Sequence, residues 1–176
     1  MKKKFGVIIL MVVLFLSSTH TNATTYIEDA DWTEGHHEIY ADDSYNEIWM
    51  YNDCTLDIMG GEICRLATYD TTVTNWYDGS IDTLWARENS VVNIYGGQLA
   101  GEGLFASGSS MINLYAYDVI LDEDTYMLTG YYYYNDEYFT MDVQGPDVFS
   151  HVKVVPEPIT IMLLTIGGLL LRRKKA

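Results

Sequence analysis

The chain has 176 residues, with 10 Lys and Arg against 25 Asp and Glu, and a formal net charge of −15. That length accommodates one small domain with processing segments, and no second large domain. The acidic balance excludes a phosphate-binding, nucleic-acid-facing protein, because such binding needs a basic surface that releases counterions.

The charge is unevenly distributed. Seven of the ten basic residues stand at the ends, as Lys2, Lys3 and Lys4 and as Arg172, Arg173, Lys174 and Lys175, whereas all 25 acids fall between Glu28 and Glu157. From Thr24 to Val155, 24 acids oppose only Arg65, Arg87 and Lys153, a balance of −21. Residues 1–23 have the layout of a secretory signal peptide. Lys2 to Lys4 form the positive start, Phe5 to Leu16 an apolar run too short for an ordinary span, and Ser17 to Ala23 a small polar cleavage region. Export is therefore expected, with a mature chain beginning near Thr24.

Residues 24–151 read as an acidic repeat domain. Four segments align, beginning at Cys54, Thr72, Ser90 and Ser110, so their starts are 18, 18 and 20 residues apart. The residues before them align in the same register, as Ile48-Trp-Met-Tyr, Leu66-Ala-Thr-Tyr, Leu84-Trp-Ala-Arg and Leu104-Phe-Ala-Ser. Two columns in one register point to a structural repeat. Period-two alternation turns Leu56/Ile58, Thr74/Trp76, Val92/Ile94 and Ile112/Leu114 inward, and likewise Ile48/Met50, Leu66/Thr68, Leu84/Ala86 and Leu104/Ala106. In the clearest copy Gly96-Gly97 breaks the chain after the second strand, and a third short apolar pair (Gln98-Leu99) follows. The fold class expected is all-β, a parallel β-helix (solenoid) of about five coils at 18–20-residue period. An antiparallel sandwich is the competing arrangement. The ends of the repeat are atypical: a weak first copy lies around Ile39-Tyr40, and residues 120–145, with the run Tyr131 to Tyr134, fit only loosely.

Stacked coils place equivalent outward residues about 4.8 Å apart. One outward column is Asp57, Asn75, Asn93 and Asn113, where side-chain amides can bond along the stack, with Asp57 expected to break the series. Beside it run Met59, Tyr77, Tyr95 and Tyr115; another face carries Trp49, Ala67, Trp85 and Phe105, next to Tyr51, Tyr69, Arg87 and Ser107. The aromatic columns Tyr77, Tyr95, Tyr115 and Trp49, Trp85, Phe105 admit three readings: an ordinary β-rich surface, a glycan-binding surface, or a self-association surface.

Catalytic and metal motifs are sparse. The sequence has no nucleophile elbow, P-loop, zinc spacing or EF-hand loop. Asp122-Glu123-Asp124 is read as a solvated acidic turn rather than a calcium loop. His36-His37, beside Glu34 and Glu38, is read as a polar cap rather than a metal site, because neighbouring side chains of an extended segment point apart. No strand face is expected to collect two acids with a basic partner, and Arg87 is taken as the only cation on a strand face. No cofactor and no metal are expected. Cys54 and Cys64 are the only cysteines, and export permits a disulfide between them if Gly60-Gly61 folds the strand back.

Residues 152–176 close the chain with Pro156-Glu157-Pro158, an apolar run from Ile159 to Leu171, and the basic cluster Arg172, Arg173, Lys174 and Lys175. An apolar run ending in a basic cluster stops with its charges in the cytoplasm, although 13 residues are short for a bilayer core. The bland reading is a plain tail anchor. The order of parts, with a signal peptide at the other end, resembles the PEP-CTERM sorting signal of bacterial envelope proteins. That resemblance covers only the last twenty or so residues. It implies recognition by an exosortase, a membrane protease-transpeptidase, with Pro156, Glu157 and Pro158 as the sorting motif and the helix 159–171 holding the chain in the membrane before processing. It also implies an association with exopolysaccharide at the cell surface or in the matrix; the sparse catalytic motifs of the body point to a non-enzymatic protein. A secreted carbohydrate-active β-helix enzyme is the alternative.

Overall fold

Parallel strands from successive coils pair in register along most of the chain. The computed structural model describes residues 28–156. The expected signal peptide, Glu157, Pro158, the apolar run 159–171 and the basic cluster 172–175 lie outside the described residues. Among the described residues, no helix is long and apolar enough to cross a membrane.

The strands are β1 (Glu28–Trp32), β2 (His36–Ile39), β3 (Ser44–Met50), β4 (Thr55–Thr68), β5 (Val73–Ala86), β6 (Val91–Ile94), β7 (Gln98–Ala106), β8 (Met111–Leu114), β9 (Ala116–Asp122), β10 (Met127–Tyr132), β11 (Tyr138–Asp142) and β12 (Val152–Val154). Nine of them form one sheet in which every pairing is parallel. The body is a parallel β-solenoid of about five turns, as the repeat predicts, and not an antiparallel sandwich. The long strands β4 and β5 each run round a corner. Their first halves pair with β2 and β6, their second halves with β3 and β7.

The register is the one the repeat implies. Leu56, Thr74, Val92 and Ile112 are successive partners, and so are Ile48, Leu66, Leu84 and Leu104. All eight are buried. The weak first copy is genuine: His37 and Ile39 of β2 pair with Leu56 and Ile58. A third inward column runs Tyr45, Ile63, Ile81, Leu99 through the segment after each glycine break. Each coil thus contributes apolar side chains from three sides to one continuous core.

Two features depart from the sequence reading. Residues 116–142 do not form a loose further coil. They fold into an antiparallel sheet of order β11-β10-β9, whose Leu128, Tyr132, Phe139 and Met141 join the core and cap the last coils. The second is β12, assigned above to the C-terminal segment. It pairs with β8 as a further rung of the solenoid, and Val155 N–H donates to Leu114 O (2.9 Å).

Corners need backbone that L-residues resist. Gly61, Gly79 and Gly97 occupy the same corner with φ of +82°, +93° and +92°. Gly97 carries a second constraint, since a Cβ there would meet Trp76 Nε1 at 2.2 Å. Trp76 is fully buried and its indole N–H donates to Asp78 O (2.9 Å), so it cannot yield easily. Gly35 also has a positive φ (+88°), but a Cβ there would meet nothing within 4 Å. Gly35→Ala should therefore cost only backbone strain, about 1–2 kcal/mol. Gly97→Ala should add an overpacking cost of about 1–3 kcal/mol to the same strain. Urea midpoints of the two variants check this, and equal losses would contradict the tight fit of Trp76 over the corner.

Candidate functional site

The outward face of β4, β5, β6 and β8 carries a continuous ladder of side-chain hydrogen bonds. Asn113 Nδ2 donates to Asn93 Oδ1 (2.9 Å), Asn93 Nδ2 to Asn75 Oδ1 (2.8 Å), and Asn75 Nδ2 to Asp57 Oδ1 (2.7 Å). Contrary to the sequence reading, Asp57 does not break this series. A carboxylate only accepts, so it fits the end of the ladder toward which every amide N–H points.

Tyr77, Tyr95 and Tyr115 stack beside the amides. Ring centroids are 4.8 and 4.1 Å apart, with interplanar angles of 7° and 18°. Burial within the stack, and a hydrogen bond with the Tyr115 hydroxyl, hold the Tyr95 phenol well above its ordinary range. The facing sides of the three rings are covered by one another, and each tyrosine remains partly exposed. Met59 leaves the column, because the register slips at this corner and pairs it with Asp78.

The second aromatic face is also closed on itself. Trp49 and Trp85 are separated in register by buried Ala67, yet their rings meet edge to face at 6.2 Å over it. Trp85 continues to Phe105 (5.8 Å, 74°), and Tyr51 stacks on Tyr69 (5.2 Å). Arg87 lies 4.5 Å from the Trp85 ring centroid and 5.6 Å from that of Tyr69. Contrary to the expectation, Arg87 lies one residue past the end of β5, whereas Arg65 of β4 and Lys153 of β12 are on strands. Arg65 pairs with Glu47 and lies 5.2 Å from the Trp85 ring.

An open groove of about 360 Å³ follows the glycine corner next to the tyrosine column, lined by Gly61, Glu62, Asp78, Gly79, Gln98 and Glu137 among others. Its walls are backbone, carboxylates and an amide, suited to hydroxyl-rich ligands.

At the first rung, β2 brings His36 and Glu38 beside Thr55 and Asp57. His36 Nε2 lies 3.5 Å from Glu38 Oε1 and 3.7 Å from Asp57 Oδ2. The sequence reading missed this group. His37, the neighbour of His36, points elsewhere: its ring stacks on Trp32 at 4.1 Å and its Nε2 contacts Glu34 O (3.1 Å). The legible signal was His36-x-Glu38, two residues on one side of a strand; Asp57 came from the next coil. Here one face does collect two acids and a basic partner. The Tyr40 hydroxyl, and then His36, hold the Glu38 carboxyl below its ordinary value.

Cys54 and Cys64 are free thiols. Cys54 precedes β4 and is buried, whereas Cys64 lies beyond the corner on the other arm of that strand, so Gly60-Gly61 turns the chain without folding it back. Burial pushes both thiols up. Asp122-Glu123-Asp124 lies at the turn from β9 to β10, where Asp122 Oδ1 accepts from the backbone N–H of Asp124 (3.0 Å) and Thr125 (3.2 Å). Pro156 is exposed just after the last rung.

No protein-family model, curated protein or solved structure matches this chain.

The ladder's polarity makes a directional prediction. Asp57→Asn keeps an acceptor for Asn75 and should change stability by less than about 0.5 kcal/mol. Asn93→Asp removes the donor to Asn75 Oδ1 and sets a carboxylate against it, which should cost about 1–3 kcal/mol at neutral pH. The new carboxyl has its folded-state pKa raised, since only its protonated form can donate to Asn75. The loss should be absent below about pH 3.9, the unfolded value, and should grow as pH rises through the folded value. Denaturant titrations across pH test this; equal effects at 57 and 93 would contradict an oriented ladder.

Proposed function

We propose that this chain is an exported, non-enzymatic protein of the bacterial cell surface or extracellular matrix. An exosortase-type enzyme processes it at Pro156-Glu157-Pro158 after the apolar run 159–171 has held it at the membrane. The body then associates with extracellular polysaccharide. The support for sorting is the order of sequence parts. The body's role rests on one structural observation, the unbroken tyrosine and asparagine columns beside an open polar groove along the solenoid.

A glycan lying in that groove would run parallel to the hydroxyl row of Tyr77, Tyr95 and Tyr115, with Glu62, Asp78 and Glu137 within reach as acceptors for sugar hydroxyls. Because stacking covers the facing sides of the tyrosine rings, recognition here relies on hydroxyl and carboxylate hydrogen bonds rather than on rings lying flat against sugars. A body with a balance of −21 also favours neutral over anionic polymers.

Two experiments follow. Replacing Pro156, Glu157 and Pro158 by alanine should leave an uncleaved, membrane-retained form, read by the mass of the protein taken from cells; unaltered processing would leave only a tail anchor. The triple change Tyr77→Phe, Tyr95→Phe and Tyr115→Phe keeps the stack and removes the hydroxyl row. It should lower retention on neutral polysaccharide at least several-fold with little change in melting temperature. Undiminished retention would overturn the groove as the binding surface.

A further inference from the structure

We propose that His36, Glu38 and Asp57 bind one divalent transition-metal ion of the zinc type, clamping the first coil to the second. The ligand atoms are His36 Nε2, Glu38 Oε1 and Asp57 Oδ2, all within 4.8 Å of one another. Two come from β2 and one from β4, at adjacent register positions.

The distances suit a shared cation better than a direct ion pair. A protonated imidazole bonded to a carboxylate has N···O of about 2.7–2.9 Å. Here the two separations are 3.5 and 3.7 Å. A tetrahedral ion about 2.0–2.2 Å from each ligand separates ligand atoms by about 3.3–3.6 Å. The two edges that His36 makes therefore need almost no adjustment, and a small rotation of the exposed Glu38 side chain about its hydrogen bond from Tyr40 closes the third.

Each ligand is also held from behind, by a residue outside the trio. His36 Nδ1 is hydrogen-bonded with Thr55 Oγ1 (2.9 Å); donation from Nδ1–H leaves the Nε2 lone pair toward the carboxylates. Tyr40 donates its hydroxyl to Glu38 Oε2 (2.5 Å), leaving Oε1 turned to the site. Asn75 occupies Asp57 Oδ1, leaving Oδ2. Asp57 thus serves as terminal acceptor of the amide ladder with one oxygen and as metal ligand with the other. One neutral imidazole and two carboxylates give a borderline donor set that neutralises a dication, and the acidic body draws cations toward it. The imidazole sets this site apart from the oxygen-only sites that calcium and magnesium prefer.

The test uses the full chain, purified in detergent without a histidine tag, and ZnCl2 alone as the probe. Calorimetric titration should give one high-affinity Zn²⁺ per chain, and Zn²⁺ should raise the melting temperature by several degrees, since the folded state alone assembles the site. His36→Gln, Glu38→Gln and Asp57→Asn should each weaken binding at least tenfold, while His37→Gln leaves it unchanged. Thr55 is a positioning residue: Thr55→Val should weaken binding about 10–100-fold, and Thr55→Ser should restore it. A hundredfold excess of Ca²⁺ should not displace the zinc. Absence of Zn²⁺ binding by the unaltered chain, or undiminished binding in His36→Gln and Asp57→Asn, would overturn the proposal and leave an ion-pair network only.

Discussion

In-register stacking of one coil on the next is the interaction on which the rest of this structure depends. A coil of some 18 residues has three short apolar edges and cannot bury them alone; only a neighbour offering the same side chains at the same positions completes the core. Backbone pairing fixes the spacing at about 4.8 Å, and that spacing decides what the surface can be. Asparagines at one position become an amide ladder, and tyrosines at the next become a stack. Gly61, Gly79 and Gly97, each at positive φ, form the same corner in three successive coils.

Most of the body was legible because stacking writes itself into the sequence twice, once inside and once outside. Thr74 and Trp76 read as inward only by alignment with Val92 and Ile94, and both are fully buried. What was hidden lay where the repeat ends. The Tyr131–Tyr134 run carries a β pattern that period alone cannot sort into parallel or antiparallel pairing, and it becomes the antiparallel cap. Val152–Val154 sits next to a proline-rich tail, but pairing with β8 decides its place. The His36 site was obscured for a related reason. Its third member is 21 residues from its first, and only the exact register of a weak first repeat joins them.

The same stacking changes how the aromatic surface should be understood. Fifteen tyrosines suggest flat platforms. Among the described residues the facing sides of Tyr77, Tyr95 and Tyr115 are given to one another, and Arg87 and Arg65 lie over the Trp85 ring. The surface that remains is made of edges, hydroxyls, amides and carboxylates, repeated once per coil. Such a surface suits hydrogen bonding to a long polar polymer, and its carboxylate-rich first rung suits a cation. The negative charge belongs to the solenoid body, while seven of the ten cations stand at the two ends of the sequence.

The most direct test of the account is the register itself. Val73 and Val91 are parallel partners on the outward side, and Val91 pairs in turn with Met111. In a chain with Cys54 and Cys64 replaced by serine, the pair Val73→Cys/Val91→Cys should be joined in high yield by a thiol cross-linker shorter than two strand spacings. Val73→Cys/Met111→Cys, two coils apart, should not be joined. Peptide mapping by mass spectrometry reads both outcomes. Equal yields from the two pairs, or no link between positions 73 and 91, would contradict in-register stacking and the ladders built on it.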